Sequence, residues 1–367
     1  MSAPQDPPFE KLQPIFDLYS QGRLQQTLSD LNQMLEIFPN SPTLYNIAGA
    51  CHFRLMQFDE ALNSYKQSLK IKPDNAEAYN NMGKILIDKG DLDAAIESFK
   101  HSLVLKPDYV QAHTNLGLLF LGLCQYEKAA VHFKLSDAGR SKYYLLKCLY
   151  YQDEKTLFYD QLDYFINQGE VNPMIVSLGC RSALRYGIER SNLFCKDPLN
   201  YILKNELGGQ YDFEKIFVGP VRTILNEHRI SDRRQGFLTN GYQTVGNLFT
   251  LEYDLKKDIQ EIIRLEIEKY HVRFRDSQEG LITSWPTDYR LHGWLIRMKS
   301  GGEMRPHMHE TGWISGSIYI NVPEKSKTDS GNLVVCIEEE ELIGENKNQG
   351  ESIDVITGSL CLFPALL

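Results

Sequence analysis

Two histidines, His307 and His309, stand in the run MRPHMHETGWISG (304–316), directly before SIYINVP (317–323). On an extended backbone, residues i and i+2 project to one face, so both imidazoles can aim at one divalent cation. Glu310 sets a carboxylate beside them. Strand alternation places His309 on the face of His307, whereas a bend in the chain would bring Glu310 round to it. An HxH pair also arises by chance, so its weight depends on the elements that carry it.

Those elements change character after Arg234. Gly236, Gly241 and Gly246 punctuate short runs, and an amphipathic helix is predicted over Leu255–Tyr270 from Leu255, Ile259, Ile262, Ile263 and Ile267. Period-two patterning then predicts strands at Gly293–Met298, Ser315–Val322, Asn332–Ile337, Ser352–Ile356 and Ser359–Phe363. A helix followed by many short strands and Gly-rich turns predicts an α+β double-stranded β-helix, or jelly roll. Trp285, Trp294 and Trp313 are read as packing residues.

The N-terminal third follows a different rule. At a shift of 34 residues, Pro39, Pro73 and Pro107 align, as do Gly49, Gly83 and Gly117, and Ala61, Ala95 and Ala129. Tyr45 and Tyr79 keep step with His113, Tyr65 with Phe99 and Phe133, and Ile37 with Ile71 and Leu105. Each unit reads as two amphipathic helices, with small residues where the pair approaches closely and proline ending the second. A degenerate first copy spans Phe9–Pro39, so about four units fit within Phe9–Gly139. Asn46, Asn80, Asn81 and Asn115 fall on the first helices of their units, where amides can bond the backbone of an extended polypeptide.

This periodic pattern resembles the tetratricopeptide repeat, which implies an all-α helical solenoid with a concave, polypeptide-binding surface. From Arg140 to about Ile230 the register is lost while helical spacing persists, with Asn172-Pro173, Asp197-Pro198 and Gly208-Gly209 as punctuation. The predicted organisation is therefore repeats over 1–140, a helical connector over 141–230 and the jelly roll over 231–367.

GWLIRMKSGGEMRPHMHETGWISGSIYINVP, Gly331-Asn332-Leu333 and GSLCLFP, together with Gln235–Phe249 upstream, resemble the bacterial 2-oxoglutarate/iron(II) oxygenases found fused to tetratricopeptide repeats. The resemblance runs from Arg234 to the end. It implies Fe(II) and 2-oxoglutarate as cofactors, hydroxylation of a C–H bond as the reaction, His307 as the first iron ligand, and Tyr319 and Asn321 beside the cosubstrate, with Ser315 and Ser317 along the same wall. Where the wider superfamily has a carboxylate two residues after the first histidine, His309 stands here. The superfamily also places a second histidine and an arginine after an FP-type strand, whereas this sequence stops at Cys361–Leu367. The expectation is thus a domain lacking its last strands and impaired in activity, with a non-catalytic interaction scaffold as the alternative. A cupin-type metal protein is disfavoured, because Trp313 and Ile314 stand where that signature wants glutamate.

Composition narrows the partners. Lys and Arg number 39 against 48 Asp and Glu, a net charge of −9, which disfavours nucleic acid and anionic membranes. The apolar stretch Leu116–Cys124 is about half the length of a membrane span. Seven scattered cysteines without zinc spacing read as reduced, buried thiols of a cytoplasmic protein.

Overall fold

The computed structural model describes residues 5–136, 139–191, 194–226, 232–233, 238–244, 247–250, 256–304, 309, 312–325, 331–336 and 350–367. It divides into two compact units, Met1–Phe158 and Tyr159–Leu367.

In the first unit, antiparallel helix pairs follow one another: α1 (Phe9–Ser20) with α2 (Leu24–Ile37), α3 (Pro42–Arg54) with α4 (Phe58–Ile71), α5 (Ala76–Lys89) with α6 (Leu92–Leu105), and α7 (Val110–Gly122) with α8 (Tyr126–Ser136). Helix α9 (Ser141–Tyr151) packs next against α8. This is a tetratricopeptide-like solenoid. Ser41 and Asn75 cap α3 and α5 by accepting from the Leu44 and Ala78 amides at 3.1 and 3.2 Å. Helices α2, α4 and α6 each stop two residues before the periodic proline.

The glycine column has a steric reason. A Cβ at Gly49, Gly83 or Gly117 would lie 2.8, 2.6 or 2.8 Å from the ring of Tyr65, Phe99 or Phe133. Those rings are buried, as are Ala61, Ala95 and Ala129 beside them. Ile37 and Leu105, although periodic, stay exposed at 66% and 41%; they mark the turn before proline rather than the core. A serine column absent from the sequence reading completes the interlock. Ser68 Oγ donates to the Pro42 carbonyl at 3.0 Å and Ser102 Oγ to the Ala76 carbonyl at 2.7 Å, tying each second helix to the start of its first.

Helix α10 (Lys155–Asn167) crosses into the second unit, which continues with α11 (Pro173–Tyr186), β1 (Leu203–Glu206), α12 (Gly219–Asn226), β2 (Asp232–Arg233), β3 (Leu238–Thr244), α13 (Lys256–Phe274) and a single turn α14 (Gly280–Thr283). Strands β4 (Ile296–Met304), β5 (Ile314–Ile318), β6 (Leu333–Cys336), β7 (Gly350–Ile353) and β8 (Ser359–Pro364) follow. Among the described residues the strands form sheets in the orders β1-β8-β5, β2-β3-β4 and β6-β7, all antiparallel. Strand β1 lies inside the stretch read from sequence as helical; four residues, Leu-Lys-Asn-Glu, are too few to show a period.

Sheet β1-β8-β5 has two different faces. Leu203 pairs with Leu362 and Asn205 with Leu360, and on this side the fully buried Glu266 of α13 accepts from Asn205 Nδ2 at 2.7 Å and Tyr211 Oη at 3.1 Å, while Lys269 Nζ reaches it at 2.6 Å. Phe194, Phe217, Tyr270, Leu281 and Leu360 belong to the core of this unit. The opposite face carries Lys204, Glu206, Ser359, Cys361, Ser315 and Ser317, by the pairings Lys204 with Cys361, Glu206 with Ser359 and Ser317 with Cys361.

The seven cysteines form no disulfide among the described residues. Cys51, Cys148, Cys195 and Cys361 are buried, and burial pushes Cys51 and Cys361 up to about 11. Cys124 is exposed instead, because it occupies a left-handed turn (φ 55°) after α7. No helix among the described residues is long and apolar enough to cross a membrane.

Candidate metal centre

The polar sheet face leads to His309. Ser315, second in β5 and buried, turns its Oγ onto His309 Nδ1. The Gly312 amide donates to the His309 carbonyl at 2.8 Å. Gly312 packs closely on its neighbour: a Cβ there would lie 3.0 Å from Ala365 Cβ. The indole of Trp294 meets the imidazole edge to face, centroids 5.7 Å apart.

His309 therefore has Nδ1 engaged by the Ser315 hydroxyl. Imidazoles that hold metals are oriented in this way, by a hydrogen bond at the second nitrogen. His309 fits the requirement for an iron ligand. His307 and Glu310, the other expected ligands, lie outside the described residues. Among the described residues no three His, Cys, Asp or Glu side chains gather for a metal.

The expected cosubstrate residues separate. Tyr319 continues β5 by backbone bonds, its amide donating to the Ser359 carbonyl at 2.9 Å and its carbonyl accepting from the Gly358 amide at 2.8 Å. Two residues beyond Ser317, it shares the polar face. Burial drives its phenol well above the usual range, nearby Cys361 adds to this, and a side-chain bond with Ser317 acts the other way. A neutral hydroxyl beside Ser317 is the result. Asn321, by contrast, is exposed beyond the end of β5.

Two features of this face were not read from the sequence. Lys204 Nζ pairs with Glu206 at 2.8 Å, and Ser359 Oγ donates to the Glu206 carboxylate at 3.2 Å. Lys325 is held between Asn332 Oδ1 at 2.6 Å and Asp354. The tryptophans also divide. Trp313 donates to the Leu281 carbonyl at 2.9 Å and packs on Phe194, and Trp285 stacks on His271. Trp294 is 42% exposed and is no core residue.

In the repeat unit, Asn80 is buried and its Oδ1 accepts from Asn115 Nδ2 at 2.9 Å. The Asn81 side chain bonds Tyr65. Asn46 is half-buried, and its Oδ1 is shielded without a hydrogen bond among the described residues. His113, third in the Tyr45–Tyr79 column of the repeat, is buried. Its Nε2 donates to the Pro107 carbonyl at 2.8 Å, which leaves Nδ1 to accept from His132 Nδ1 at 3.0 Å.

Comparison with known proteins agrees with both halves. Residues 57–87 and 83–123 match the family model described as TPR repeat. Residues 292–367 match the model described as "Putative 2OG-Fe(II) oxygenase". No curated protein sequence matches significantly. Among solved structures, the chain is similar to Pseudomonas aeruginosa pilF, at 22% identity over 48% of this chain and 83% of that one, with a TM-score of 0.43. MamA is similar at 19% identity over 41% and 88%, TM-score 0.36, and MamA 41-end from Desulfovibrio magneticus RS-1 at 17% over 43% and 92%, TM-score 0.38. The chain thus combines tetratricopeptide repeats with a domain of the 2OG-Fe(II) oxygenase family near its C-terminus.

Proposed function

We propose that the protein is a 2-oxoglutarate/Fe(II)-dependent hydroxylase whose repeats recruit a polypeptide. The observation that carries this reading is the Ser315–His309 hydrogen bond, of the kind that orients metal-binding imidazoles, beside a polar, partly buried sheet face. His307, His309 and Glu310 would hold the iron, either as a three-imidazole type of site or with the carboxylate. Fe(II) with 2-oxoglutarate supplies oxidation of an unactivated C–H bond by dioxygen, yielding a hydroxylated product, succinate and carbon dioxide. Ser315 orients His309. Ser317 and the neutral Tyr319 hydroxyl offer hydrogen bonds to the cosubstrate, with Asn321 at the rim. The jelly roll is the architecture proposed for this domain, with the described antiparallel strands as its parts.

In the repeats, Asn46, Asn81 and Asn115 form the proposed polypeptide-binding row, and Asn80 positions Asn115 by accepting from its amide. The test is turnover of 2-oxoglutarate to succinate by the purified chain with Fe(II), compared with its His309→Ala variant. Succinate formed by the parent and lost in the variant supports the hydroxylase. No turnover above that of the variant favours an interaction scaffold.

A further inference from the structure

Trp294 lies two residues before β4, and its indole stands edge to face against the His309 imidazole, ring centroids 5.7 Å apart. The Ser315 hydroxyl holds His309 at one atom, Nδ1. A single hydrogen bond leaves a ring able to swing about the line of that bond. A second contact is needed to set the plane of the imidazole, and the indole supplies it, since aromatic pairs prefer such edge-to-face arrangements.

The backbone that carries Trp294 is fastened by residues distant in sequence from His309. Asn247 Nδ2 donates to the Leu291 carbonyl at 2.9 Å, while its Oδ1 accepts from the Gly293 amide at 3.0 Å and the Phe249 amide at 3.1 Å. The Leu248 amide donates to the Gly293 carbonyl at 2.9 Å. On the other side of Trp294, the Leu295 amide donates to Thr244 Oγ1 and the Leu295 carbonyl accepts from the Thr244 amide, both at 3.0 Å. The fit is close: a Cβ at Gly293 would lie 2.5 Å from the Phe249 ring. Both chain neighbours of Trp294 are thus tied to the segment 244–249, and the indole rides on a fixed backbone.

We propose that Trp294 and Asn247 are positioning residues of the metal centre, Asn247 holding the backbone that presents the indole and the indole holding the plane of the His309 imidazole. The inference rests on the metal-centre reading for its consequence and on the bonds at Leu291, Gly293 and Leu295 for its mechanism. Asparagine suits the place because its side-chain amide donates and accepts at once, bridging two backbone positions.

The test reads the ring before any metal is added. In the full chain with 15N-labelled histidine, at about pH 8 where histidine is neutral, nitrogen shifts distinguish the two imidazole tautomers, and His309→Ala identifies the His309 signals. The parent is expected to hold His309 in one tautomer. Trp294→Ala and Asn247→Ala should each give a mixture, and Trp294→Phe should keep the parent state. Asn247→Asp, which keeps the acceptor and loses only the donor to Leu291, should give less of the second tautomer than Asn247→Ala. The His271 signals, from a ring stacked on Trp285 in the same unit, should stay unchanged throughout, which separates the effect from misfolding. Cobalt(II) affinity is the second measurement: Kd should rise about three- to tenfold in Trp294→Ala and in Asn247→Ala. Because Asn247 acts through Trp294, the double variant should bind no more weakly than Trp294→Ala alone. A mixture of tautomers in the parent, an unchanged His309 in these alanine variants, or additive losses in the double variant overturns the proposal. Cobalt that fails to bind the parent contradicts the metal centre instead, and the tautomer measurement still decides whether Asn247 and Trp294 hold the ring.

Discussion

Removing the Ser315 hydroxyl is the sharpest perturbation of the metal centre, because it leaves every proposed ligand in place. Ser315 is 6% exposed and holds His309 Nδ1. In Ser315→Ala the imidazole loses its orientation and can take the other tautomer. Outer partners of metal-bound histidine typically contribute 10–100-fold to affinity, which is about 1.4–2.7 kcal/mol. The alanine methyl fits the serine site, so folding should change by no more than about 1–3 kcal/mol for the unpaired ring nitrogen. Cobalt(II), titrated anaerobically and followed by its visible absorption, gives the affinity directly. The expected result is a tenfold or greater rise in Kd at an unchanged circular dichroism spectrum. Equal affinity in Ser315→Ala and the parent would refute the claim that this hydrogen bond prepares His309 for metal.

Other consequences concern the scaffold. Burial, with His113 alongside, holds His132 down to about 4 from 6.5; the folded state resists protonation that the unfolded chain accepts. Stability from this pair is therefore full above about pH 6.5 and falls as pH drops toward 4, by about 1–2 kcal/mol after allowing for the ring's partial exposure. Urea melts across that range should show the loss in the parent and a smaller one in His132→Phe. Gly83→Ala drives a methyl into the Phe99 ring, 2.6 Å away, and should lower stability by about 1–3 kcal/mol; Phe99→Leu should relieve part of the clash, read as non-additivity in thermal melts. Glu266→Ala strips acceptors from Asn205 and Tyr211 and should cost about 2–4 kcal/mol, measured by chemical denaturation.

The repeats were legible because their steric reason recurs. Gly83 against Phe99 and Gly117 against Phe133 leave a period that survives in sequence, and proline stops each second helix. The serine column carries the same period, yet serine on a helix has too many uses to signal a buried bond by itself. The five predicted strands of the C-terminal third overlap β4 to β8, but β4 continues six residues past its predicted end at Met298 and β3 was not predicted. Strand β1 was hidden by its brevity. Tyr319 fell on the polar face as alternation requires, whereas Asn321 lies beyond the last ladder pair and is exposed. The partnership of Ser315 with His309 joins residues six apart, a spacing that period counting does not reveal. Trp294 shows the opposite error: its type suggests a core, but it lies two residues before β4 and is exposed.

The proposed hydroxylase depends on iron held through His309. An anaerobic titration of the purified chain with Fe(II) in the presence of 2-oxoglutarate, followed by the visible charge-transfer absorption of the complex, tests it most directly. One iron per chain, with absorption that requires 2-oxoglutarate and disappears in His309→Ala, is the predicted result. Absence of that absorption, or its persistence at full strength in the variant, would contradict the account.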